Sequence, residues 1–233
     1  MTYLQQEFDD RVILEPGGAE ANACVIWMHG LGADGFDFVP VVPQLRLPAA
    51  SIPRFVFSHA PVRPVTLNGG RATRAWYDLS GLTGAADEDG AGIRDSARRI
   101  EEYVRLESEA GIAADRIVLA GFSQGGAIAL YAGLNHSGAL GGLLALSAYL
   151  PLGDSLRDAT DAPRTLPILM CHGLHDPVVS LASAERSRDL MRARGYTVQW
   201  RTYPIQHQVC PEEIADISRW LARALAGRRG VAA

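Results

Sequence analysis

Ile117-Val118-Leu119-Ala120 runs straight into Gly121-Phe122-Ser123-Gln124-Gly125-Gly126, and then into Ala127-Ile128-Ala129-Leu130-Tyr131. The first four residues are apolar and mostly branched, too few for a helix and suited to a strand covered on both faces. Beyond the glycines, Ala127, Ile128, Leu130, Tyr131 and Leu134 recur at helical spacing as far as Asn135. A strand must therefore turn sharply into a helix at Ser123. That is the setting in which a G-x-S-x-G motif exposes a serine hydroxyl at a strand's carboxyl end. Gly121 and Gly125 remove side chains that would clash across so tight a turn, and the helix brings its positive end to the serine oxygen. A serine that merely caps the helix is the plainer alternative. The rest of the chain has to supply a base and an orienter.

The 233 residues are 48% hydrophobic and 21% charged, an ordinary soluble composition with a sizeable core to bury. No apolar stretch approaches the roughly 18 residues of a membrane span, so no stable membrane insertion is expected. Met1 to Glu7 lacks the basic and apolar regions of a signal peptide, and a cytoplasmic protein is expected unless a leader was removed. Net charge is −4, and all 22 basic residues are Arg with no cluster beyond short pairs. A nucleic-acid or anionic-membrane surface would need a basic patch, which is missing. Cys24, Cys171 and Cys210 are odd in number and form no C-x-x-C pair, so they read as reduced, buried small residues.

Strand and helix patterns alternate along the whole chain. Val12-Ile13-Leu14 ends at Pro16-Gly17-Gly18, and Cys24-Val25-Ile26-Trp27-Met28 is a fully apolar run delivering the chain into His29-Gly30-Leu31-Gly32-Ala33-Asp34-Gly35. Phe36 to Leu45 reads as a short helix and Arg54 to Ser58 as another strand. Ile93, Ala97, Ile100 and Val104 share one helical face, with Gly111 as a stop. Leu143 to Leu146, Pro167 to Cys171 and Val198 to Tyr203 are further strands. Leu181, Leu190 and Met191 mark a helix, and Pro211 opens a closing one with Glu212 and Glu213 near its positive end. This alternation predicts an α/β fold, a mostly parallel central sheet with helices on both faces, in a single domain over 1–233. The Pro- and Gly-rich stretch 61–84 is long for a structureless connection and reads as a wall or lid of a pocket, with Trp76 as an apolar substrate contact.

In a parallel sheet the loops after the strands converge on one edge. His207 lies after the last strand and Asp176 after the strand ending at Cys171, so Ser123, Asp176 and His207 follow one another in the chain. His207 would take the serine proton and Asp176 would hold the imidazole in the right tautomer. If so, kcat/KM should fall as pH drops through the region around 6 to 7, where an ordinary imidazole protonates. The backbone amides of Leu31 and Gln124 form the candidate oxyanion hole, although the glycines around Leu31 would serve a structural turn equally well. Competing readings stay open. His172, His175 and Asp176 have a weak metal-like spacing, and Asp154, Asp158 and Asp161 are alternative acids. His29 reads as ordering its own loop, while His59 and His136 are less well placed.

Four stretches, His29 to Gly35, Trp76-Tyr77-Asp78, Gly121 to Gly126 and Cys171 to Val179, together resemble the phospholipase/carboxylesterase family of α/β-hydrolases. The resemblance covers nearly the whole chain, and the Val62 to Gly70 stretch is similar to the bacterial carboxylesterase branch. It implies a serine esterase with Ser123, Asp176 and His207 as triad, Leu31 and Gln124 as oxyanion hole, and no metal or organic cofactor. The expected function is hydrolysis of small to medium carboxylic esters through an acyl-enzyme. Acyl-protein thioesterase or lysophospholipase activity is the alternative, and a non-catalytic ligand-binding protein on the same fold is the reading of another class. The expected partner is a small-molecule ester, and a homodimer is left open. One departure stands out: the position before the catalytic His is often Gly in such relatives and is Gln206 here, which would be strained if a positive φ were needed.

Overall fold

The computed structural model describes residues 2–48, 50–81, 88–153 and 162–226. Eight strands form one sheet in the order β1 (Tyr3–Glu7), β2 (Arg11–Pro16), β4 (Pro53–Ser58), β3 (Ala23–Met28), β7 (Ile117–Phe122), β8 (Gly142–Leu146), β9 (Ile168–Gly173) and β10 (Val198–Tyr203). From β4 to β10 all neighbours are parallel, and β1 and β2 add an antiparallel edge. The apolar runs lie in the middle because a parallel strand needs cover on both sides; every residue of β3 is buried.

Side-chain alternation divides the interior into two layers. Cys24, Ile26 and Met28 of β3 join Ile117 and Leu119 of β7 against α1 (Gly90–Glu109), α2 (Gln124–Asn135) and Met191 of α3 (Leu181–Ala193). Val25 and Trp27, with Val118 and Ala120, pack on the other face against α4 (Pro211–Ala224) and the segment carrying Phe38, Val41 and Val42. The strand immediately before Ser123 is therefore held from both sides. No helix among the described residues is long and apolar enough to cross a membrane.

Three local readings change. The helix expected over Phe36 to Leu45 is a 3-10 helix over Val39–Gln44, because Pro40 and Pro43 cannot donate the hydrogen bonds an α-helix requires. The stretch 61–84 contains a hairpin, β5 (Val62–Val65) and β6 (Arg71–Arg74), whose turn has Gly69 at φ 67° and Gly70 at φ 77°. Asn68-Gly69-Gly70 is the local signal for it, since glycine enters that backbone region at no steric cost. The end of that stretch, 82–84, lies outside the described residues.

Glu213 is the third. It sits in the first turn of α4, where a carboxylate gains from the helix dipole, yet it is 1% exposed. Burial wins: it pushes the carboxyl up from 4.5 to about 8, against the pull of the Cys210 amide and with the help of Asp216. A raised carboxyl pKa means that the folded chain holds a proton the unfolded chain has lost between those two values. The stabilisation is complete below the unfolded value and is lost as pH rises through the folded one. We therefore expect the unfolding free energy of the native protein, read from denaturant titrations, to fall relative to that of Glu213→Gln between pH 5 and pH 9, by about 4 kcal/mol at most. Parallel curves for the two proteins would contradict this.

Candidate active site

Ser123 stands between β7 and α2 with φ 55° and ψ −122°, a conformation outside the allowed regions for a residue with a side chain. Its surroundings enforce it. The Ser123 amide donates to Leu146 O at 2.8 Å and its carbonyl accepts from Ala127 N at 3.0 Å. A Cβ on Gly121 would lie 2.3 Å from the Gly125 carbonyl, and one on Gly125 would lie 2.3 Å from Met28 O. These glycines are needed for close approach, not for their dihedrals.

The carboxylate of Asp176 is fully buried in the turn after β9. Its Oδ1 accepts from the amides of Val178 at 2.8 Å and Val179 at 2.9 Å. Its Oδ2 lies 2.7 Å from His207 Nδ1. Because a carboxylate only accepts, Nδ1 carries the proton, and in the neutral ring Nε2 is left as the basic nitrogen. The imidazole lies against the Phe122 ring, centroids 4.7 Å apart, one residue from Ser123. Among the described residues no hydrogen bond joins Ser123 Oγ to His207; without substrate such a contact is commonly slack.

The loops carrying Asp176 and His207 are joined main chain to main chain. Leu174 N donates to Tyr203 O at 2.8 Å and His175 N to Ile205 O at 3.0 Å, extending the pairing of β9 with β10 past the strand ends. A Cβ at Gly173 would meet Gln206 O at 2.2 Å, so this glycine lets the loop carrying His207 settle beside Asp176. Ser123, Ser147 and Leu152 are the non-glycine residues with positive φ among those described. Gln206 is not among them, and the expected strain before His207 does not arise.

Leu31 lies in the loop after β3, which is pinned to the end of β7: a Cβ on Gly30 would sit 3.3 Å from Phe122 Cδ1 and 3.5 Å from Ser123 Cβ. Gln124 N–H opens α2 and so has no partner within its helix. His29 orders its own loop, as expected. Its Nδ1 contacts Gly30 O at 2.7 Å and its Nε2 accepts from Ala60 N at 3.0 Å, so the proton is on Nδ1. Burial lowers this imidazole to about 4, against the pull of the Gly30 carbonyl, and it stays neutral.

A cleft of about 470 Å³, counting its open mouth, is lined by Ser123, Leu31 and Gln124 together with Tyr77, Leu79, Gly81, Tyr149, Val178 and Val179. Trp76 does not line it. The indole is fully buried, its Nε1 donating to His29 O at 2.9 Å. Its backbone N donates to Gln124 Oε1 at 2.8 Å, and its carbonyl accepts from Ser96 Oγ. The correction has a physical reason: the large ring and its single donor are satisfied beneath the loop, and the neighbouring Tyr77 and Leu79 form the wall.

The sequence reading also missed the Gln124 side chain. Besides holding Trp76, it donates from Nε2 to Tyr77 O at 2.8 Å and so fixes the wall to the elbow. His172 is buried with Nε2 2.9 Å from Val179 O, bracing the turn that holds Asp176, while His175 is exposed. Burial lowers the His172 imidazole, with the Val179 carbonyl and Asp176 pulling the other way. No group of three or more metal-ligating side chains gathers among the described residues. Asp154, Asp158 and Asp161 lie outside them.

The Phospholipase/Carboxylesterase family model matches residues 9–225. The chain is 37% identical over 220 residues to an acyl-protein thioesterase 1 of Gibberella zeae, covering 90% of this chain and 94% of that protein. It is 38% identical over 223 residues to an acyl-protein thioesterase 1 of Neurospora crassa, covering 91% of each. The crystal structure of acyl-protein thioesterase 2 from Zea mays superposes with a TM-score of 0.82 at 30% identity, covering 94% of this chain and all of that one. The parallel sheet, the serine elbow and these likenesses agree, and the chain belongs to the phospholipase/carboxylesterase family, serine hydrolases on the α/β-hydrolase fold.

Proposed function

We propose that the protein is a carboxylic-ester hydrolase working through an acyl-enzyme on Ser123. Ser123 Oγ attacks the ester carbonyl while His207 Nε2 takes its proton, and the Leu31 and Gln124 amides receive the negative charge that develops on the carbonyl oxygen. His207 then returns the proton to the departing alcohol. Water, deprotonated by the same nitrogen, attacks the acyl-enzyme and releases the acid and Ser123. Asp176 keeps the Nδ1 proton in place and stabilises the imidazolium. The observation that carries this reading is the 2.7 Å contact between His207 and a buried, twice hydrogen-bonded Asp176, on the rim where the strained Ser123 opens into a cleft. No step calls on a metal or organic cofactor.

The names of the curated relatives favour a second reading, hydrolysis of a thioester on an S-acylated protein. The chemistry is the same with a thiol as leaving group, and a lysophospholipid is a further ester of this kind. The measurement that separates them is a series of esters of increasing acyl length set beside an S-acyl peptide. We expect the esters to be hydrolysed with the higher kcat/KM; a strong preference for the long-chain thioester would move the assignment to the second reading. Labelling by an organophosphate, with the modified peptide mapped to Ser123, excludes a non-catalytic binding protein, and absence of labelling would favour it.

A further inference from the structure

Among the described residues that line the cleft, polar groups are few, and their hydrogen bonds can be counted. Ser123 is committed to acyl transfer. Gln124 is 3% exposed and holds the protein at both ends of its amide, Oε1 on Trp76 N and one of its two Nε2 protons on Tyr77 O, each at 2.8 Å. That leaves two phenols, Tyr77 and Tyr149, whose oxygens lie 3.2 Å apart. Each holds one proton, and one contact uses one of them. One hydroxyl proton is therefore without a protein acceptor among the described residues.

Burial decides which one. Tyr77 is 1% exposed, and an unpaired O–H there would cost about 1–3 kcal/mol. Tyr149 is half-buried and lines the cleft, where its proton can meet water or substrate. Tyr77 accordingly donates to Tyr149, and the Tyr149 O–H is left facing the cleft. Burial raises both phenols above their ordinary value, so Tyr149 acts as a donor across the working pH range. Among the described residues the remaining lining, Leu31, Leu79, Gly81, Val178 and Val179, offers no competing side-chain donor.

We infer that Tyr149 is a specificity-determining residue whose hydroxyl donates a hydrogen bond to an oxygen that the substrate carries outside its scissile group. The preferred ester then bears a carbonyl or similar acceptor along its acyl or alcohol chain, in place of a plain hydrocarbon chain. This rests on the serine-hydrolase reading above. A site with a donor waiting in an apolar cleft favours the substrate that satisfies it, because an all-carbon chain strips the hydroxyl of water and returns nothing.

The test is a scan of esters of equal chain length in which one methylene, well removed from the scissile carbonyl, is replaced by a ketone at successive positions. One series varies the acyl part and a second the alcohol part. The readout is kcat/KM for each ketone relative to its all-carbon parent. At one position the native protein should show a raised ratio, and Tyr149→Phe should lower it by about 3- to 10-fold. Tyr77→Phe should retain it, because Tyr149 keeps its own proton. A flat scan for the native protein overturns the inference without any variant, and so does a ratio unchanged in Tyr149→Phe. Ser123→Ala, run on the same esters, separates the two levels: retained hydrolysis there would overturn the underlying mechanism, whereas lost hydrolysis with a flat scan overturns the role of Tyr149 alone.

Discussion

Replacing Ser123 with Ala is expected to lower kcat for ester hydrolysis by about 10⁴- to 10⁶-fold, because the proton acceptor on His207 is then left without a nucleophile to activate. The fold should be unaffected, since Ala has a Cβ like Ser and meets the same cost at φ 55°. Ser123→Gly separates the two properties. Glycine is free in that backbone region, so it removes a strain of about 1–3 kcal/mol, less the roughly 1 kcal/mol it loses through a more flexible unfolded chain. We expect both variants to be inactive, with the Gly variant at least as stable as the Ala variant in denaturant titrations. An Ala variant retaining even a hundredth of the native kcat would remove Ser123 from the mechanism. A Gly variant clearly less stable than Ala would mean that the elbow stores no strain.

Asp176→Asn is expected to cost about 10⁴-fold in kcat with little loss of stability, and the direction follows from hydrogen-bond polarity. The amides of Val178 and Val179 both point at Oδ1, so the Asn carbonyl oxygen must take that position. The amide NH₂ then occupies the place of Oδ2, 2.7 Å from His207 Nδ1, and donates where the carboxylate accepted. His207 is driven to the other tautomer, with its proton on Nε2, and cannot accept from Ser123. Steady-state kinetics beside the thermal midpoint checks this. A loss below about tenfold would show that the carboxylate does not set the tautomer.

The strongest signals in the sequence were local and steric. Gly121 to Gly126 between a branched run and a helical run locates the elbow from residue types alone. Tyr77 and Tyr149 were not legible as a pair, since they are 72 residues apart and meet only through the sheet. Trp76 was misplaced by one position: which of two adjacent aromatic residues faces the cleft depends on Gln124 grasping the backbone on either side of the peptide between them. Glu213 was misjudged because helix position favours the charge while burial opposes it, and only packing reveals the burial. The worry over Gln206 came from a pattern in relatives. Here the close approach is accommodated across the rim at Gly173, whose missing side chain leaves room for the Gln206 carbonyl.

Cys24, Cys171 and Cys210 are all free, at 0%, 1% and 9% exposure, and burial raises each thiol. Cys24 lies in β3 and Cys171 in β9, inside the parallel sheet, while Cys210 precedes α4. A coloured aromatic disulfide at neutral pH should therefore leave the native molecule almost untouched and react with all three sulfurs once the chain opens. The rate at which Cys24 and Cys171 react then reports how often the sheet comes apart, with no label added.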